Sequence, residues 1–332
     1  PCSAESENQL LETAKAIATA GHASALRAGV WKPRTRPGSF EGIGTPALKW
    51  LEKAKAETGL PVLTEVGNPT HVEEALKHNI DMLWIGARTT VNPFYVQEIA
   101  EALRGVNIPI LVKNPLHPDI GLWIGAIERF SSVGISNLAA IHRGFYTDPP
   151  APFRNEPRWE LSFELRTRLP ELPILCDPSH IAGRADLVGQ VAQTALDINL
   201  DGLMIETHHQ PENALSDAAQ QLTPAALEKL MNNLIIRSEE VDEEVIRQKL
   251  ETIRCVIDGI DHDILRQLEK RFDQVDTIGK IKLEDDITVF QMARWFDMIS
   301  ERKAYGHKLN LDMDFLHELF SVIHKYLSLI HI

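Results

Sequence analysis

The last part of the 332-residue sequence contains no proline, because all 19 prolines lie between Pro1 and Pro224. Glycine is also scarce there, and only Gly259, Gly279 and Gly306 follow position 203. Proline and glycine end helices and form turns, so their absence predicts long helices after about residue 238. The part before it is interrupted often enough for short strands and helices. We therefore expect two architectures in one chain.

Other absences exclude whole classes of protein. The three cysteines are too few and too widely spaced for a disulfide framework, which indicates a reducing compartment, and we expect the cytoplasm. No apolar run approaches the roughly 20 residues that span a bilayer, and the start has no signal-peptide pattern. The net charge is −13 and no basic tract is present, so we expect no nucleic-acid partner. With 44% hydrophobic residues, disordered and collagen-like chains are excluded.

Short apolar runs alternate with amphipathic stretches through the first 236 residues. Seven runs are typical of strands, at 25–30, 61–66, 81–86, 109–113, 137–142, 173–176 and 202–206. Helical patterns occur at 5–20, 46–57, 72–77, 93–103, 122–131, 161–168, 185–196 and 224–236. Seven strand-then-helix units behind an initial helix predict an α/β fold, a (β/α)8 TIM barrel at 1–236 whose first strand is missing from the sequence. A doubly wound sheet is the alternative, although no Gly-x-Gly-x-x-Gly turn supports it.

The last ninety residues predict a small all-α domain at 245–332, after a linker at 237–244. Apolar residues recur at helical spacing from 245 to 282, at positions 246, 250, 253, 257, 260, 264, 268, 275 and 278. Two shorter helices are predicted at about 288–305 and 312–329. Three such helices bury little apolar surface alone, so we expect a homo-oligomer that dimerises through this region.

Cationic side chains lie within or just after the predicted strands. In (β/α) barrels the carboxyl ends of the strands form one face, which carries the active site. Cations that converge on one face of an acidic protein predict an anionic ligand with phosphate or carboxylate groups. Taken singly, each cation could instead be a solvated charge at the rim. The six are Arg27, Lys32, Arg34, Arg88, Lys113 and Arg143.

A second set of residues combines a thiol, an imidazole and two carboxylates, in Cys2, His180, Glu206 and Asp217. Such donors suit a divalent first-row metal that acts as a Lewis acid. We expect Mn²⁺ first, with Fe²⁺, Co²⁺ or Zn²⁺ as alternatives. Spacing alone does not reveal this site, because a single cysteine or loop histidine is more often structural.

Eight short motifs make residues 1 to about 236 similar to the type I DAHP (3-deoxy-D-arabino-heptulosonate 7-phosphate) synthases, the entry enzymes of the shikimate pathway. They occur in that family's order and span the whole region. They are Pro1-Cys2-Ser3, Lys32-Pro33-Arg34-Thr35, Ile85-Gly86-Ala87-Arg88, Val112-Lys113, His142-Arg143-Gly144, Asp177-Pro178-Ser179-His180, Ile205-Glu206 and Leu215-Ser216-Asp217.

The resemblance implies a role for each of these side chains. It assigns the metal to Cys2, His180, Glu206 and Asp217. It assigns erythrose 4-phosphate to Arg34 and Thr35, and phosphoenolpyruvate to Arg27, Lys32, Arg88, Lys113 and Arg143. We expect Lys113 to handle a proton or to stabilise charge beside the reacting carbon.

Residues 243–332 are similar to the all-helical chorismate mutases. The resemblance rests on Arg254, Arg271, Ile278-Gly279 with Lys282, and Arg294, and it implies that these cations bind chorismate, with Lys282 near the breaking ether oxygen. In that family's dimers, the equivalent of Arg254 reaches the pocket of the partner chain. The sequence departs from the family's pattern at Gln291, Trp295, Leu327 and His331.

Helix geometry supports an anion site independently of the resemblance. Arg271 and Lys282 are 11 positions apart, so they point within about 20° of each other on a helix. Both fall inside the apolar stripe, where a charge needs a partner. That partner is either a bound anion or an internal carboxylate such as Asp261 or Glu301.

We therefore expect a bifunctional, metal-dependent DAHP synthase and chorismate mutase of aromatic amino-acid biosynthesis. Two alternatives remain open. In the first, the helical region is an allosteric dimerisation module that binds prephenate or chorismate with little turnover. In the second, the barrel is a phosphate-binding aldolase that uses a lysine Schiff base.

Overall fold

The computed structural model describes residues 1–33, 38–147, 152–237, 244–288 and 291–329, without the side chains of 327–329. Arg34, Thr35, His331 and the side chain of Leu327 therefore lie outside the described part of the chain. The chain divides into two compact units, Pro1–Arg237 and Ser238–Ile332. Within the described ranges, no helix is both long and apolar enough to cross a membrane.

Among the described residues of the first unit, seven parallel strands form the sheet, and neighbouring strands follow the order of the chain. A doubly wound sheet would reverse its strand order near the middle, so this sequential order excludes that alternative. The result is the curled α/β sheet that the alternating pattern predicted. The strands are β1 (Leu26–Arg27), β2 (Val62–Val66), β3 (Met82–Ile85), β4 (Ile110–Lys113), β5 (Leu138–His142), β6 (Ile174–Cys176) and β7 (Gly202–Leu203).

Ten helices accompany the described strands, and local sequence signals fix where several begin. Asn68, Asn92 and Thr223 each accept a backbone hydrogen bond from the first turn and are each followed by proline, the favoured start of a helix. The helices are α1 (Glu7–Ala20), α2 (Leu48–Thr58), α3 (Pro69–Lys77), α4 (Ala87–Thr90), α5 (Pro93–Ala102), α6 (Ile120–Ser132), α7 (Trp159–Arg168), α8 (Pro178–Ala182), α9 (Ala185–Asp197) and α10 (Pro224–Asn233). The single-turn helices α4 and α8, at the carboxyl ends of β3 and β6, were not predicted.

The first residues of the chain run beside β1. Ser3 pairs with Gly29 in a parallel bridge, and the backbone N–H of Gly29 donates to the carbonyl of Cys2 at 3.1 Å. The N–H of Cys2 donates to Oε1 of Gln221, at 3.0 Å. Residues 1–4 therefore lie along the edge of β1 that faces away from β2, and they contact the segment that follows β7.

The described part of the second unit contains one long and two shorter helices, which are α11 (Glu244–Glu284), α12 (Met292–Lys308) and α13 (Met313–Leu329). α12 begins four residues later than predicted. α12 and α13 pack closely at Gly306, where a Cβ atom would lie 2.0 Å from Cδ1 of Leu316. The apolar stripe of α11 remains open, and its side chains at 246, 250, 253, 257, 260 and 264 are 38–57% exposed.

Candidate active site

Three of the four predicted metal ligands converge at the carboxyl edge of the sheet. The ligand atoms of Cys2, Glu206 and Asp217 all lie within 4.8 Å of one another. Cys2 comes from the segment beside β1, Glu206 follows β7, and Asp217 lies in the loop beyond it. A thiol and two carboxylates drawn from distant parts of the chain form the kind of mixed donor set that a divalent first-row metal accepts.

The fourth predicted ligand, His180, lies at the edge of this cluster on α8. Its Nε2 is 4.0 Å from Oδ2 of Asp217, and its Nδ1 is 3.9 Å from Oε1 of Glu206. Nδ1 also lies 2.8 Å from Oδ2 of Asp177. A carboxylate behind one ring nitrogen commonly orients the other nitrogen of a metal-binding histidine. The donor set and this orientation fit a divalent metal.

Burial and neighbouring charges set the protonation of the cluster. Burial, reinforced by the charge of Glu206, raises the pKa of the Cys2 thiol to about 12. Burial also favours a raised pKa for the carboxyl of Glu206, but the positive charges of His180 and Arg27 outweigh it and lower that pKa to about 2. Despite partial burial, His180 and Arg154 hold the pKa of Asp217 below its usual value. The two carboxylates are therefore ionised at neutral pH.

Arg27 is buried and pairs with a metal-ligand candidate. Its Nη1 donates to Oε1 of Glu206 at 2.9 Å, and its guanidinium lies over the ring of Trp84, 4.6 Å from the centroid. Gln220 donates to the other oxygen of Glu206 at 2.7 Å. The charge of Arg27 thus balances a protein carboxylate, and its predicted contact with a substrate anion stays a prediction.

Lys113 ends β4 and is also buried. Its Nζ donates to Oδ2 of Asp177 at 2.7 Å, while Oδ1 of Asp177 accepts from the backbone N–H of His180 at 3.1 Å. Burial would raise the pKa of Asp177, but His180 and Lys113 hold it well below its usual value. Asp177 therefore joins the predicted lysine to the predicted histidine.

Arg143 follows β5 and is only 6% exposed. Its Nη1 donates to the amide oxygen of Asn155 at 2.9 Å, which offers no compensating charge. Burial, with the nearby charges of Arg154 and Arg88, lowers the pKa of Arg143 to about 10 despite the opposing charge of Asp177. A buried guanidinium beside two further cations favours a bound anion.

Lys32 folds back over the start of the chain, and its Nζ donates to Sγ of Cys2 at 3.2 Å. The absence of a side chain at Gly29 permits this approach, because a Cβ there would lie 2.8 Å from Nζ of Lys32. Lys32 therefore lies beside the proposed metal ligands.

The structure adds four residues to the site to which the sequence assigned no role, which are Asp177, Gln220, Arg154 and Asn155. Asp177 could have been suspected, because Asp-Pro at the end of a strand is a helix start signal. Arg154 donates to Oδ1 of Asp217 at 3.0 Å and to Oε1 of Gln220 at 2.7 Å. Arg154 lies in the connection after β5, and no local pattern marks its role.

A second group of cations gathers in the helical unit. Burial and the charge of Arg302 lower the pKa of Arg271, and its Nη1 is buried without a hydrogen-bond partner among the described residues. Burial, with the charges of Arg271 and Lys282, lowers the pKa of His324. His324 also lies against Trp295, with ring centroids 4.3 Å apart. His324 thus lies near both Arg271 and Lys282, and Arg302 lies near Arg271, while the predicted anion site at Arg271 and Lys282 stays a prediction.

The two remaining predicted cations of this unit are exposed. Arg254 donates to Oε1 of Glu251 at 2.6 Å. It precedes Arg271 by 17 residues on the same helix, which places their Cα atoms about 26 Å apart along the axis. Arg254 therefore cannot share a small ligand with Arg271 of its own chain. Arg294 lies in the first turn of α12 with its side chain exposed.

Comparison with known families agrees with both halves of this description. Residues 1–243 match the DAHP synthetase I family, and residues 253–330 match chorismate mutase type II. Both resemblances drawn from the sequence motifs are confirmed.

Curated relatives match the first part of the chain. The phospho-2-dehydro-3-deoxyheptonate aldolase of Thermotoga maritima is 31% identical over 237 residues, which cover 70% of this chain and 67% of that protein. The 2-dehydro-3-deoxyphosphooctonate aldolase of Vesicomyosocius okutanii is 25% identical over 266 residues, which cover 70% of this chain and 87% of that protein.

Solved structures agree with the fold. The crystal structure of the Thermotoga maritima DAHP synthase superposes with a TM-score of 0.63 at 30% identity, over 70% of this chain and 66% of that one. A truncated form of the Thermotoga enzyme gives a TM-score of 0.60 at 29% identity, over 70% of this chain and 82% of that one. The chain thus spans about two thirds of the full-length Thermotoga relative.

Proposed function

Since the chain belongs to the DAHP synthetase I family, we propose that its first unit condenses phosphoenolpyruvate with erythrose 4-phosphate to give DAHP and phosphate. The enol carbon of phosphoenolpyruvate attacks the aldehyde carbon, water adds at C2, and phosphate leaves, so one water is consumed. The observation that carries this proposal is the cluster of Cys2, Glu206 and Asp217 beside the buried cations Lys113 and Arg143.

Cys2, His180, Glu206 and Asp217 would hold a divalent metal, with Mn²⁺ in first place and Fe²⁺, Co²⁺ or Zn²⁺ as alternatives. When bound, the metal supplies a Lewis acid for the aldehyde oxygen. The raised pKa of Cys2 implies that its thiol gives up a proton on binding, because thiolate is the form that ligates metals. Arg27 keeps Glu206 ionised and in place through its hydrogen bond.

Arg143, Arg88 and Lys113 would bind the phosphate and carboxylate of phosphoenolpyruvate. Arg143 is the best anchor, because its buried guanidinium bonds only to a neutral amide among the contacts described for it. Lys113, held by Asp177, would stabilise charge or transfer a proton beside C2. Lys32, Arg34 and Thr35 remain predicted contacts for the substrates.

The direct test is DAHP formation by the full chain, measured before and after removal of metal with a chelator. We expect activity to be lost on chelation and regained when Mn²⁺ is added. A lysine Schiff-base aldolase would behave in the opposite way, because borohydride would trap its substrate and chelation would leave turnover unchanged. Absence of DAHP formation with added Mn²⁺ would refute the main proposal.

We propose that the helical unit binds the chorismate dianion and rearranges it to prephenate. The two family matches together support a bifunctional enzyme. The supporting observation is the cluster of Arg271, Lys282 and Arg302, in which Nη1 of Arg271 is buried without a hydrogen-bond partner among the described residues. Such a cluster would hold the two carboxylates and the ether oxygen of chorismate in a compact conformer.

The alternative for this unit is a regulatory module with little turnover. The position of Trp295 supports this alternative. Trp295 lies against His324 within the cation cluster, at a place where the chain departs from the mutase pattern. Two measurements on the full chain separate the alternatives, which are chorismate turnover and the inhibition of DAHP formation by prephenate. Turnover supports the mutase, whereas inhibition without turnover supports the regulatory module.

We further propose that the chain dimerises through α11. The apolar stripe of this helix is about half exposed, and a second copy of the chain would cover it. A partner would also explain the exposed Arg254, which is too far from Arg271 of its own chain but could reach the cation cluster of the other copy.

The three cysteines are free thiols, which supports a reducing compartment such as the cytoplasm.

A further inference from the structure

A group of hydrogen bonds links the first residues of the chain to the loop after β7, and the bond between Ser3 and Ser216 is buried. The hydroxyl oxygens of Ser3 and Ser216 lie 2.5 Å apart. Oε1 of Glu5 accepts from the hydroxyl of Ser3 and from the backbone N–H of Leu215, both at 3.0 Å. Ser3 is fully buried and Ser216 is 4% exposed. We call Ser3, Glu5 and Ser216 the clasp.

Gln221 forms further hydrogen bonds between the same two segments, because it contacts both Cys2 and Ser216. Its Oε1 accepts from the backbone N–H of Cys2 at 3.0 Å, and its Nε2 donates to the carbonyl of Ser216 at 2.9 Å. Gln221 is 2% exposed. Two segments more than 200 residues apart are therefore joined by several hydrogen bonds, and those between Ser3 and Ser216 and from Gln221 to Cys2 and Ser216 are buried.

The clasp lies directly beside two proposed metal ligands. Ser3 follows Cys2 in the chain and Ser216 precedes Asp217, yet the bonds of the clasp use none of the ligand atoms. Cys2 and Asp217 approach each other with Sγ and Oδ2 3.3 Å apart. The clasp can therefore fix the distance between the two ligands without occupying either of them.

Asp217 also needs such a constraint. Its backbone is left-handed, with φ 49° and ψ 38°, a conformation that is uncommon for non-glycine residues, although aspartate adopts it more readily than most. The bonds to Ser216 and Leu215 fix the two residues that lead into this conformation. They thereby direct the carboxylate of Asp217 toward Cys2.

We propose that Ser3, Glu5 and Ser216 are positioning residues that hold Cys2 and Asp217 at the separation a divalent metal requires. The inference rests on the proposed metal-dependent function. Ligands that are already in place lose less conformational freedom when the metal binds. Replacing residues that position the ligands from outside the coordination sphere commonly weakens metal affinity by roughly 10–100-fold.

The test is titration of the full chain with Co²⁺, whose thiolate charge-transfer band reports coordination by Cys2. Ser216→Ala and Glu5→Ala should raise the Kd for Co²⁺ by roughly 10–100-fold and weaken this band at equal occupancy. Glu5→Gln should stay near the wild-type Kd, because its amide oxygen can accept the same two hydrogen bonds. If Ser216→Ala fails to fold, Ser3→Ala removes the same contact from the other side.

Ser162→Ala is the matched control, because Ser162 is equally buried and its hydroxyl lies 2.9 Å from Nδ1 of His142, away from the clasp. We expect it to bind Co²⁺ like the wild type. The inference is overturned if Ser216→Ala and Glu5→Ala also bind like the wild type, if Ser162→Ala weakens binding equally, or if Glu5→Gln is as weak as Glu5→Ala. Failure of the wild-type chain itself to bind Co²⁺ would instead refute the proposed metal-dependent function, and the inference with it.

Discussion

Acid should destabilise the first unit through His142, which ends β5 and is fully buried. Its ring lies among Trp123, Phe145 and Trp159, with centroids 5.0–6.2 Å away, and its Nδ1 is 2.9 Å from the hydroxyl of Ser162. Burial lowers the pKa of His142 to about 3, from an ordinary value of 6.5. The folded protein therefore keeps this ring neutral well below the pH at which the unfolded chain protonates it.

The sign and the size follow from linkage. Between pH 6.5 and pH 3 the unfolded state binds a proton at His142 and the folded state does not, so stability falls as the pH falls. Above pH 6.5 the ring is neutral in both states, so the protein has the full stability that a neutral His142 allows. pH 5 lies about 1.5 units below the ordinary pKa of 6.5, so at that pH the buried neutral ring lowers the free energy of unfolding by about 2 kcal/mol.

The assay is urea unfolding of the wild type and of His142→Gln at pH 8 and pH 5, followed by tryptophan fluorescence. This signal reports mainly the first unit, because every tryptophan except Trp295 lies there. The stability lost between the two pH values should be smaller by about 2 kcal/mol in His142→Gln than in the wild type. His117→Gln changes an exposed histidine of the same unit and should lose as much as the wild type. Equal losses in the wild type and His142→Gln would refute the reasoning.

Three further predictions concern activity and assembly. Lys113→Met should lower kcat for DAHP formation by roughly 10²–10⁴-fold, and wild-type turnover in a folded variant would contradict the role of Lys113. Arg271→Ala should weaken chorismate or prephenate binding by roughly 10–100-fold in calorimetry, whereas Arg266→Ala, an exposed arginine of the same helix, should bind normally. Ile260→Asp should shift the full chain toward monomer in analytical ultracentrifugation while Lys270→Asp does not, and a dimer that survives Ile260→Asp would argue against α11 as the interface.

Much of the architecture could be predicted because it depends on local patterns. Proline after Asn68, Asn92 or Thr223 marks a helix start whatever the rest of the chain does. The alternation of short apolar runs with helical periods predicted the parallel sheet, and the absence of proline after Pro224 predicted α11. The convergence of Lys113 and Arg143 could also be predicted, since the carboxyl ends of neighbouring parallel strands share one edge.

The pairing of charges at that edge could not be predicted. The sequence places Arg27 among the cations of the site. Only the structure shows that Arg27 forms an ion pair with Glu206, because the fold brings β1 next to the segment after β7. The same holds for Arg302 and His324, whose approach to Arg271 depends on how α12 and α13 pack. A residue's chemical type is local information, whereas its partner depends on which distant segment the fold brings near.

The sequence by itself determined the two architectures, the edge that carries the site and the types of donor there, because each follows from residue spacing within a few turns or strands. Tertiary structure alone decided which donors meet. Cys2 and Asp217 are separated by 215 positions, and no periodicity relates them. Ser3 meets Ser216 and Glu5 meets Leu215 only because the edge beside β1 curls round to the loop after β7, and that closure is a property of the whole sheet.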